Sequence, residues 1–149
     1  MLKDEYIYQD VDVSSKNELL KFISKKALEM KLTNDSEALY NDFLEREGKF
    51  STGLQDGFAI PHARTDNVNE VAIMYIRSKN YIEWGTLDDK PVKYFFVLLV
   101  PAKSEGNVHL QMISKLAVCL LDDDFKEKVK SSNDKVWLRN YILKKMKEE

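Results

Sequence analysis

The stretch Val92-Lys-Tyr-Phe-Phe-Val-Leu-Leu-Val100 contains the longest apolar run in the chain, residues 94–100. An apolar run without alternation is typical of a strand in the middle of a sheet whose two faces are both covered. Residues 71–76 are nearly all apolar and predict a second strand of this kind. Trp84-Gly85 and Asp88-Asp89 lie between the two runs and predict a turn-rich connection. Together the two runs predict the centre of a β-sheet.

Shorter strands are expected before these two. Residues 50–54 and 58–60 are short segments separated by the turn sequence Gln55-Asp56-Gly57. Pro61 keeps the preceding residue extended and cannot donate a ladder hydrogen bond. We therefore expect the chain to leave the sheet at Pro61, which puts the next residue just past a strand end.

Helical patterns flank the strands on both sides. Ser15, Asn34 and Asp124 are each followed three residues later by glutamate, which is the capping-box pattern, and Asn107 is a fourth candidate N-cap. Gly48 is a candidate end for the second helix. The predicted inward faces are Leu19, Leu20, Ile23, Ala27 and Met30; Leu39, Tyr40, Phe43 and Leu44; Leu110, Ile113, Leu116, Ala117 and Leu120; and Trp137, Leu138, Tyr141 and Ile142. This order predicts a mixed α/β fold, a central sheet sandwiched by helices, in one domain over residues 1–149.

The composition restricts the kind of protein. The formal net charge is -2, which gives no electrostatic indication of nucleic-acid binding. Cys119 is the only cysteine, so a disulfide within the chain and a cysteine-based zinc site are excluded, and its apolar surroundings predict a buried thiol. The N-terminus is too polar for a signal peptide, and residues 94–100 are too few to span a bilayer. We expect a cytoplasmic protein that is not inserted in a membrane.

His62 and His109 are the only histidines in the sequence. His62 follows the predicted strand 58–60, and strand ends in α/β folds commonly carry functional sites. A neutral imidazole, with an ordinary pKa of about 6.5, is a good phosphoryl acceptor when its second nitrogen is held as N–H. From the residues alone, an ordinary turn histidine is the simpler interpretation of His62.

His109 follows the candidate N-cap Asn107 by two residues and shares the apolar stripe of the third helix. The N-terminus of a helix favours anions such as phosphate, and an imidazole is able to donate a hydrogen bond to a phosphoryl oxygen. A core histidine with satisfied hydrogen bonds explains the same pattern equally well.

Arg46 lies near the end of the second predicted helix. A guanidinium holds a phosphate with two parallel hydrogen bonds, and the hydroxyls of Ser51 and Thr52 are candidate donors to the same oxygen atoms. A solvated charge and ordinary turn contacts are the simpler interpretations. Other chemistries fit less well, because the motifs GxxxxGK[ST], GxGxxG and GxSxG are missing and the two histidines have no carboxylate partner motif for a metal site.

Several segments together resemble a known family. Leu44-Glu-Arg-Glu47, Ser51-Thr-Gly53 and Gly57-Phe-Ala-Ile-Pro-His-Ala63 resemble the enzyme IIA components, fructose–mannitol class, of the bacterial phosphoenolpyruvate-dependent sugar phosphotransferase system. Trp84-Gly-Thr-Leu-Asp88, Pro91-Val92 and the region from His109 to Ala117 fit the same family in the same order. The resemblance spans nearly the whole chain, and Gly-x-Ala-Ile-Pro-His is its most specific element.

The resemblance implies a phosphohistidine carrier. His62 matches the phosphorylated histidine of the family, which uses Nε2; His109 matches a second histidine that contacts the phosphoryl group; and Arg46 matches the active-site arginine. Members of the family take the phosphoryl group from a histidine of the small carrier HPr. They pass it to a cysteine of a IIB domain, which phosphorylates a sugar entering through a membrane IIC protein. The family's transfer uses no metal or organic cofactor.

Two roles are compatible with this resemblance. In the first, the chain is a free-standing IIA component of sugar transport. In the second, it is similar to the nitrogen-type branch, in which the phosphorylation state of His62 controls binding to partner proteins. A scaffold that has lost phosphotransfer is a third hypothesis, and the retained Arg46, His62 and His109 argue against it.

Overall fold

The computed structural model describes residues 1–147, so the last two residues of the predicted 1–149 domain lie outside the described residues. Within residues 1–147 the chain forms five strands and five α-helices, with a 3-10 turn at Asp4–Tyr6. The strands are β1 (Ile7–Val11), β2 (Phe58–Ala59), β3 (His62–Thr65), β4 (Ala72–Ile82) and β5 (Val92–Pro101). The helices are α1 (Lys16–Glu29), α2 (Ser36–Lys49), α3 (Gly106–Cys119), α4 (Asp123–Ser131) and α5 (Lys135–Lys147). None of these helices, all within the described range, is long and apolar enough to cross a membrane.

The strands form one mixed sheet with β4 and β5 at its centre. β4 pairs antiparallel with β5 and parallel with β1. β2 and β3 follow one another along the other side of β5, both parallel to it. Residues 72–78 and 95–100 are all buried, and since alternate residues of a strand face opposite sides, both faces of the sheet are covered. The mixed α/β fold predicted from the two apolar runs is confirmed.

Aromatic contacts show how the helices cover the two faces. On one face, Phe96 stacks on Phe125 of α4, with ring centroids 6.0 Å apart. On the other face, Trp84 packs against Phe95 with centroids 5.0 Å apart, and the ammonium of Lys16 in α1 lies 4.7 Å from the Trp84 ring centre. Burying a phenylalanine side chain completely stabilises the fold by roughly 1.5–3 kcal/mol. These rings therefore tie the helices firmly to the sheet.

The strands differ from the prediction in two places. The prediction misses β1, because Gln9 and Asp10 interrupt its apolar pattern; both are tolerated because β1 lies at the edge of the sheet. Residues 50–54 do not form the predicted strand: Phe50 is 77% exposed, and Gly53 makes only an isolated bridge to Ala59. Gly53 allows a close approach of two loops, since a Cβ there would lie 2.2 Å from the carbonyl oxygen of Gly85.

The predicted N-cap residue is correct for α1 and wrong for α2. Ser15 caps α1 as predicted, with its hydroxyl accepting from the Glu18 N–H at 3.1 Å. The predicted cap Asn34 is wrong, because Asp35 is the residue in extended conformation and accepts from the Ala38 N–H at 3.1 Å. Two adjacent residues with suitable side chains compete for one cap, and the backbone conformation decides between them.

The boundaries of the other helices shift for similar reasons. The predicted cap Asp124 is wrong, since Asp122 caps α4 by accepting from the Asp124 N–H at 2.9 Å. Asn107 is also wrong as a cap, because α3 already begins at Gly106. The prediction that α2 stops near Gly48 is confirmed within one residue, because the helix ends at Lys49, although Gly48 lies in the last turn rather than after it.

The inward faces of α3 and α5 are partly as predicted. Leu116 is buried, but Leu110 is 65% exposed and Trp137 is 40% exposed. The buried stripe of α3 is instead Met112, Leu116 and Cys119, which rotates the helix relative to the predicted face. The predicted burial of the Cys119 thiol is confirmed.

Candidate functional site

His62 is the first residue of β3, and Pro61 separates it from β2. Both strands pair with β5: Ala59 lies opposite Phe95, and His62 lies opposite Leu98. Pro61 cannot donate a hydrogen bond, but its carbonyl oxygen accepts from the Leu98 N–H at 2.9 Å. The prediction that the chain leaves the sheet here is therefore wrong. The proline divides one edge of the sheet into two short strands, and His62 resumes the ladder.

Two hydrogen bonds fix the orientation and the tautomer of the His62 ring. Nδ1 lies 2.8 Å from the carbonyl oxygen of Ile60, and because a carbonyl only accepts, Nδ1 carries the proton. Nε2 is then an acceptor, and the Nε–H of Arg46 donates to it at 3.0 Å. The side chain is held as a neutral imidazole with a nucleophilic Nε2, in a residue that is only 6% exposed.

The pKa values of both histidines favour neutral rings. Burial lowers the pKa of His62 to about 4; the charges of Arg46 and His109 act in the same direction, and the Ile60 hydrogen bond opposes them. Burial also lowers the pKa of His109, with Arg64 and Arg46 as further causes. Near pH 7 the His62 Nε2 therefore keeps its lone pair, which a nucleophile requires.

His109 faces His62 from the first turn of α3. The ring centroids are 5.2 Å apart and the planes are inclined by 53°. Nε2 of His109 is buried and has no hydrogen-bond partner among residues 1–147. Buried polar side-chain atoms are normally paired, so this nitrogen is suited to a ligand that enters between the rings.

Arg46 reaches His62 from the last turn of α2. Its Nη1 donates to the carbonyl oxygen of Phe50 at 2.8 Å, just beyond the helix end, while Nε donates to His62. These two bonds aim the guanidinium at the nucleophile. A planar group with five N–H donors can then hold a phosphoryl oxygen beside that nucleophile.

The three residues line one cleft of about 220 Å³. Its other charged lining residues are Asp42, Glu45, Lys49 and Arg64. The Asp42 carboxylate is already occupied, because it accepts from the Thr65 hydroxyl at 2.6 Å and from the Asn67 amide at 2.7 Å. Glu45 lies 3.8 Å from the Lys49 ammonium, within an ion pair. Three cationic side chains against two carboxylates leave the lining with a net positive formal charge, which suits an anion.

Arg64 is a residue of the cleft that the sequence analysis does not single out. Its Nη2 donates to the carbonyl oxygens of Ala102 at 3.0 Å and Ser104 at 2.7 Å, which holds the loop before α3. Its spacing from His62 is the signal that could have identified it, because residues 62 and 64 of one strand point to the same face of the sheet. The prediction lacked this signal because it placed residue 62 outside a strand.

The structure places Ser51 and Thr52 elsewhere. The Ser51 hydroxyl donates to the Gly85 carbonyl oxygen at 2.5 Å. The Thr52 hydroxyl donates to Glu47 and accepts from Nε1 of Trp84 at 3.2 Å. Neither residue is among the described residues that line the cleft. The structure thus brings Arg46, His62 and His109 together, as the resemblance implies, and leaves the two hydroxyls bonded outside the group.

Comparison with known proteins agrees with this geometry. The profile of the family PTS_EIIA_2, described as phosphoenolpyruvate-dependent sugar phosphotransferase system, EIIA 2, matches residues 1–145. The fructose-specific EIIA component of the phosphotransferase system from Haloferax volcanii is 35% identical over 138 residues, covering 93% of this chain and 89% of that protein.

Solved structures show the same fold. The nitrogen regulatory protein IIA-Ntr from Neisseria meningitidis has a TM-score of 0.87 and 29% identity, covering 95% of each chain. A chain of the Escherichia coli complex of enzyme IIA mannitol with phosphorylated enzyme IIB mannitol has a TM-score of 0.74 and 19% identity, covering 98% of each chain. At 19% identity that likeness shows the fold alone. From its match over residues 1–145 and its Haloferax relative, this chain belongs to the EIIA type-2 family of the phosphoenolpyruvate-dependent sugar phosphotransferase system, the fructose–mannitol class that includes the nitrogen branch.

Proposed function

We propose that this protein is a phosphohistidine carrier in which Nε2 of His62 accepts a phosphoryl group from phospho-HPr and passes it to a IIB domain. The observation that supports this most directly is the His62 ring itself. Its Nδ1 proton is held by the Ile60 carbonyl, and its Nε2 lone pair faces a cleft with cationic side chains. Because Nε2 is already unprotonated, its attack on phosphorus needs no general base.

His62 accepts the phosphoryl group without gaining or losing a proton. The Nε2 lone pair forms a bond to phosphorus while the bond from phosphorus to the histidine nitrogen of HPr breaks, and that electron pair returns to the donor nitrogen. Nδ1 keeps its proton throughout. In delivery, a thiolate sulfur of IIB forms the new bond to phosphorus, and Nε2 recovers its lone pair.

Arg46 and His109 stabilise the transition state in this proposal. Phosphoryl transfer has a loose transition state whose charge is spread over three peripheral oxygens, so positioned donors contribute more than covalent chemistry. Arg46 moves its N–H from Nε2 to a phosphoryl oxygen as the new bond forms. His109 donates from Nε2, the nitrogen that is buried and unpaired among residues 1–147 of the resting protein.

The partners follow from the same proposal. The Escherichia coli IIA protein was solved with phosphorylated IIB, which supports a IIB domain as the acceptor for this chain and, through it, a membrane IIC permease. HPr is the proposed donor, and HPr and IIB meet this protein in the cytoplasm. The transport role thereby couples phosphoryl transfer to sugar uptake.

A regulatory role is the second candidate, favoured by the TM-score of 0.87 to the nitrogen regulatory protein of Neisseria meningitidis. In that role, phosphorylation of His62 controls binding to other proteins. Adding purified IIB domain to the phosphorylated protein separates the two. Rapid loss of the phosphoryl group to a IIB cysteine supports transport, and retention of the group with a changed set of bound proteins supports regulation.

Phosphorylation by phosphoenolpyruvate, enzyme I and HPr tests the carrier itself, with intact mass as the readout. We expect one acid-labile phosphoryl adduct on the wild-type protein and none on His62→Ala. Omitting HPr while enzyme I and phosphoenolpyruvate are present is the control for transfer through HPr. An adduct of normal yield on His62→Ala would show that another residue is the acceptor.

A further inference from the structure

Glu47, the residue after Arg46, has a buried carboxylate that the proposed chemistry does not use. Its side chain is 4% exposed. One oxygen accepts from the Thr52 hydroxyl, and the other accepts from the Thr52 backbone N–H at 3.2 Å. The Lys16 ammonium lies 3.6 Å from the second oxygen. Burying a carboxylate is costly unless it is paired and hydrogen-bonded, and the contacts with Thr52 and Lys16 offset that cost here.

Thr52 connects Glu47 to the strand that leads to His62. Its hydroxyl accepts from Nε1 of the buried Trp84 at 3.2 Å. Its carbonyl oxygen accepts from the Ile60 N–H at 3.1 Å. Thr52 therefore ties the end of α2 on one side to the end of β2 on the other.

The contacts close into a ring. The carbonyl oxygen of Ile60, whose N–H is bonded to Thr52, accepts a hydrogen bond from the His62 Nδ1–H at 2.8 Å. His62 accepts from Arg46 at 3.0 Å through Nε2. Arg46 is joined covalently to Glu47, where the path began. Each bond limits the movement of the others, so the distance between guanidinium and imidazole depends on the contact between Glu47 and Thr52.

We propose that Glu47 is a positioning residue for phosphotransfer, acting through Thr52 and Ile60 to hold the His62 ring in its Nδ1–H tautomer beside Arg46. This inference rests on the proposed carrier function. Glu47 does not touch the phosphoryl group. It sets the geometry in which Arg46 and Nε2 meet that group.

Four variants separate the contributions of the Glu47 carboxylate and the Thr52 hydroxyl to the phosphorylation rate. Glu47→Ala removes both acceptor oxygens, and Thr52→Val removes the hydroxyl while keeping the shape and the backbone N–H. For each of these two we expect the rate of phosphorylation at saturating phospho-HPr to fall on the order of 10- to 100-fold, the range associated with misplaced reacting groups. Thr52→Ser keeps the hydroxyl and should restore most of the rate. Glu47→Gln keeps one acceptor and should be intermediate.

Asp35→Ala is the matched control, because it weakens α2 from the opposite end without touching the ring of hydrogen bonds. It should lower the melting temperature and leave the phosphorylation rate near that of the wild type. Thr52→Val carries the test if Glu47→Ala does not fold.

Nitrogen NMR of the His62 ring supplies a readout that needs no phosphoryl donor. We expect the wild type to show Nδ1–H with unprotonated Nε2, and Glu47→Ala and Thr52→Val to show a mixture of the two tautomers. A changed tautomer in a protein that HPr never phosphorylates would support positioning while refuting the carrier function. Variants that are less stable but keep both the wild-type tautomer and the wild-type rate would overturn the inference.

Discussion

At the scale of single residues, the nucleophile of His62 is covered in the resting protein. The Arg46 Nε–H occupies the lone pair of Nε2 at 3.0 Å. A phosphoryl group can bond to Nε2 only when this hydrogen bond is given up, and its oxygens then offer Arg46 a stronger, charge-assisted partner. In the proposed mechanism the same guanidinium covers Nε2 before transfer and stabilises the charge of the phosphoryl oxygens during it.

The lowered pKa of His62 predicts a pH-dependent stability. The unfolded chain binds a proton near the ordinary pKa of 6.5, whereas the buried ring stays neutral until about pH 4. The unfolded state therefore binds more protons between these values, and the free energy of unfolding falls as the pH is lowered. We expect His62 to account for a loss of about 2 kcal/mol between pH 7 and pH 5.

Urea unfolding of the wild type and of His62→Gln at both pH values measures this difference. The variant has no ionisable group at the position, so its stability should decline less on acidification. Equal declines in the two proteins would mean that the folded ring titrates normally.

Arg46→Ala and His109→Ala should differ in how they affect the folded protein. Arg46→Ala removes bonds to His62 and Phe50, whereas His109→Ala removes an Nε2 without partners among residues 1–147. We expect both to slow phosphorylation by about 100- to 1000-fold, the usual loss for one donor to a developing charge. Only Arg46→Ala should change the His62 ring signals in NMR. Wild-type transfer rates in both variants would contradict the assigned roles.

At the scale of elements, the site is assembled where two helix ends meet one interrupted edge strand. Arg46 comes from the end of α2, His109 from the start of α3, and His62 from the strand that resumes after Pro61. Pro61 has no N–H for a ladder hydrogen bond, and the Ile60 carbonyl just before it binds the His62 ring and fixes its tautomer.

The observed caps predict which neighbouring residue matters to α2. Asp35 accepts from the Ala38 N–H at 3.1 Å, whereas the Asn34 amide meets the Asn69 amide on the surface. Asp35→Ala should therefore lower the free energy of unfolding by about 1 kcal/mol. Asn34→Ala should change it by less than about 0.5 kcal/mol, as is usual for surface positions. Urea unfolding at pH 7 compares them, and a larger loss for Asn34→Ala would restore the cap predicted from the sequence.

At the scale of the whole molecule, the sequence predicts those elements that are determined by a local pattern of residues. The central strands and the presence of the helices follow from apolar runs and periodicity, which are local properties of the sequence. β1 escapes prediction because its burial depends on β4, and the role of Thr52 escapes because Glu47 and Trp84 reach it only in the folded chain. Arg46, His62 and His109 were identified through family resemblance, since no spacing rule brings a helix end, an edge strand and a distant helix start together.

The position of His62 within the sheet has a consequence for how partner proteins exchange the phosphoryl group. A carrier with a long flexible arm moves the bound group from one active site to another. In the proposed mechanism the acceptor atom belongs to a residue of a hydrogen-bonded strand and stays in place, so the donor and the recipient must bind at the same cleft one after the other. The two partners then compete for that cleft, so we expect an excess of either one in its unphosphorylated form to slow the transfer.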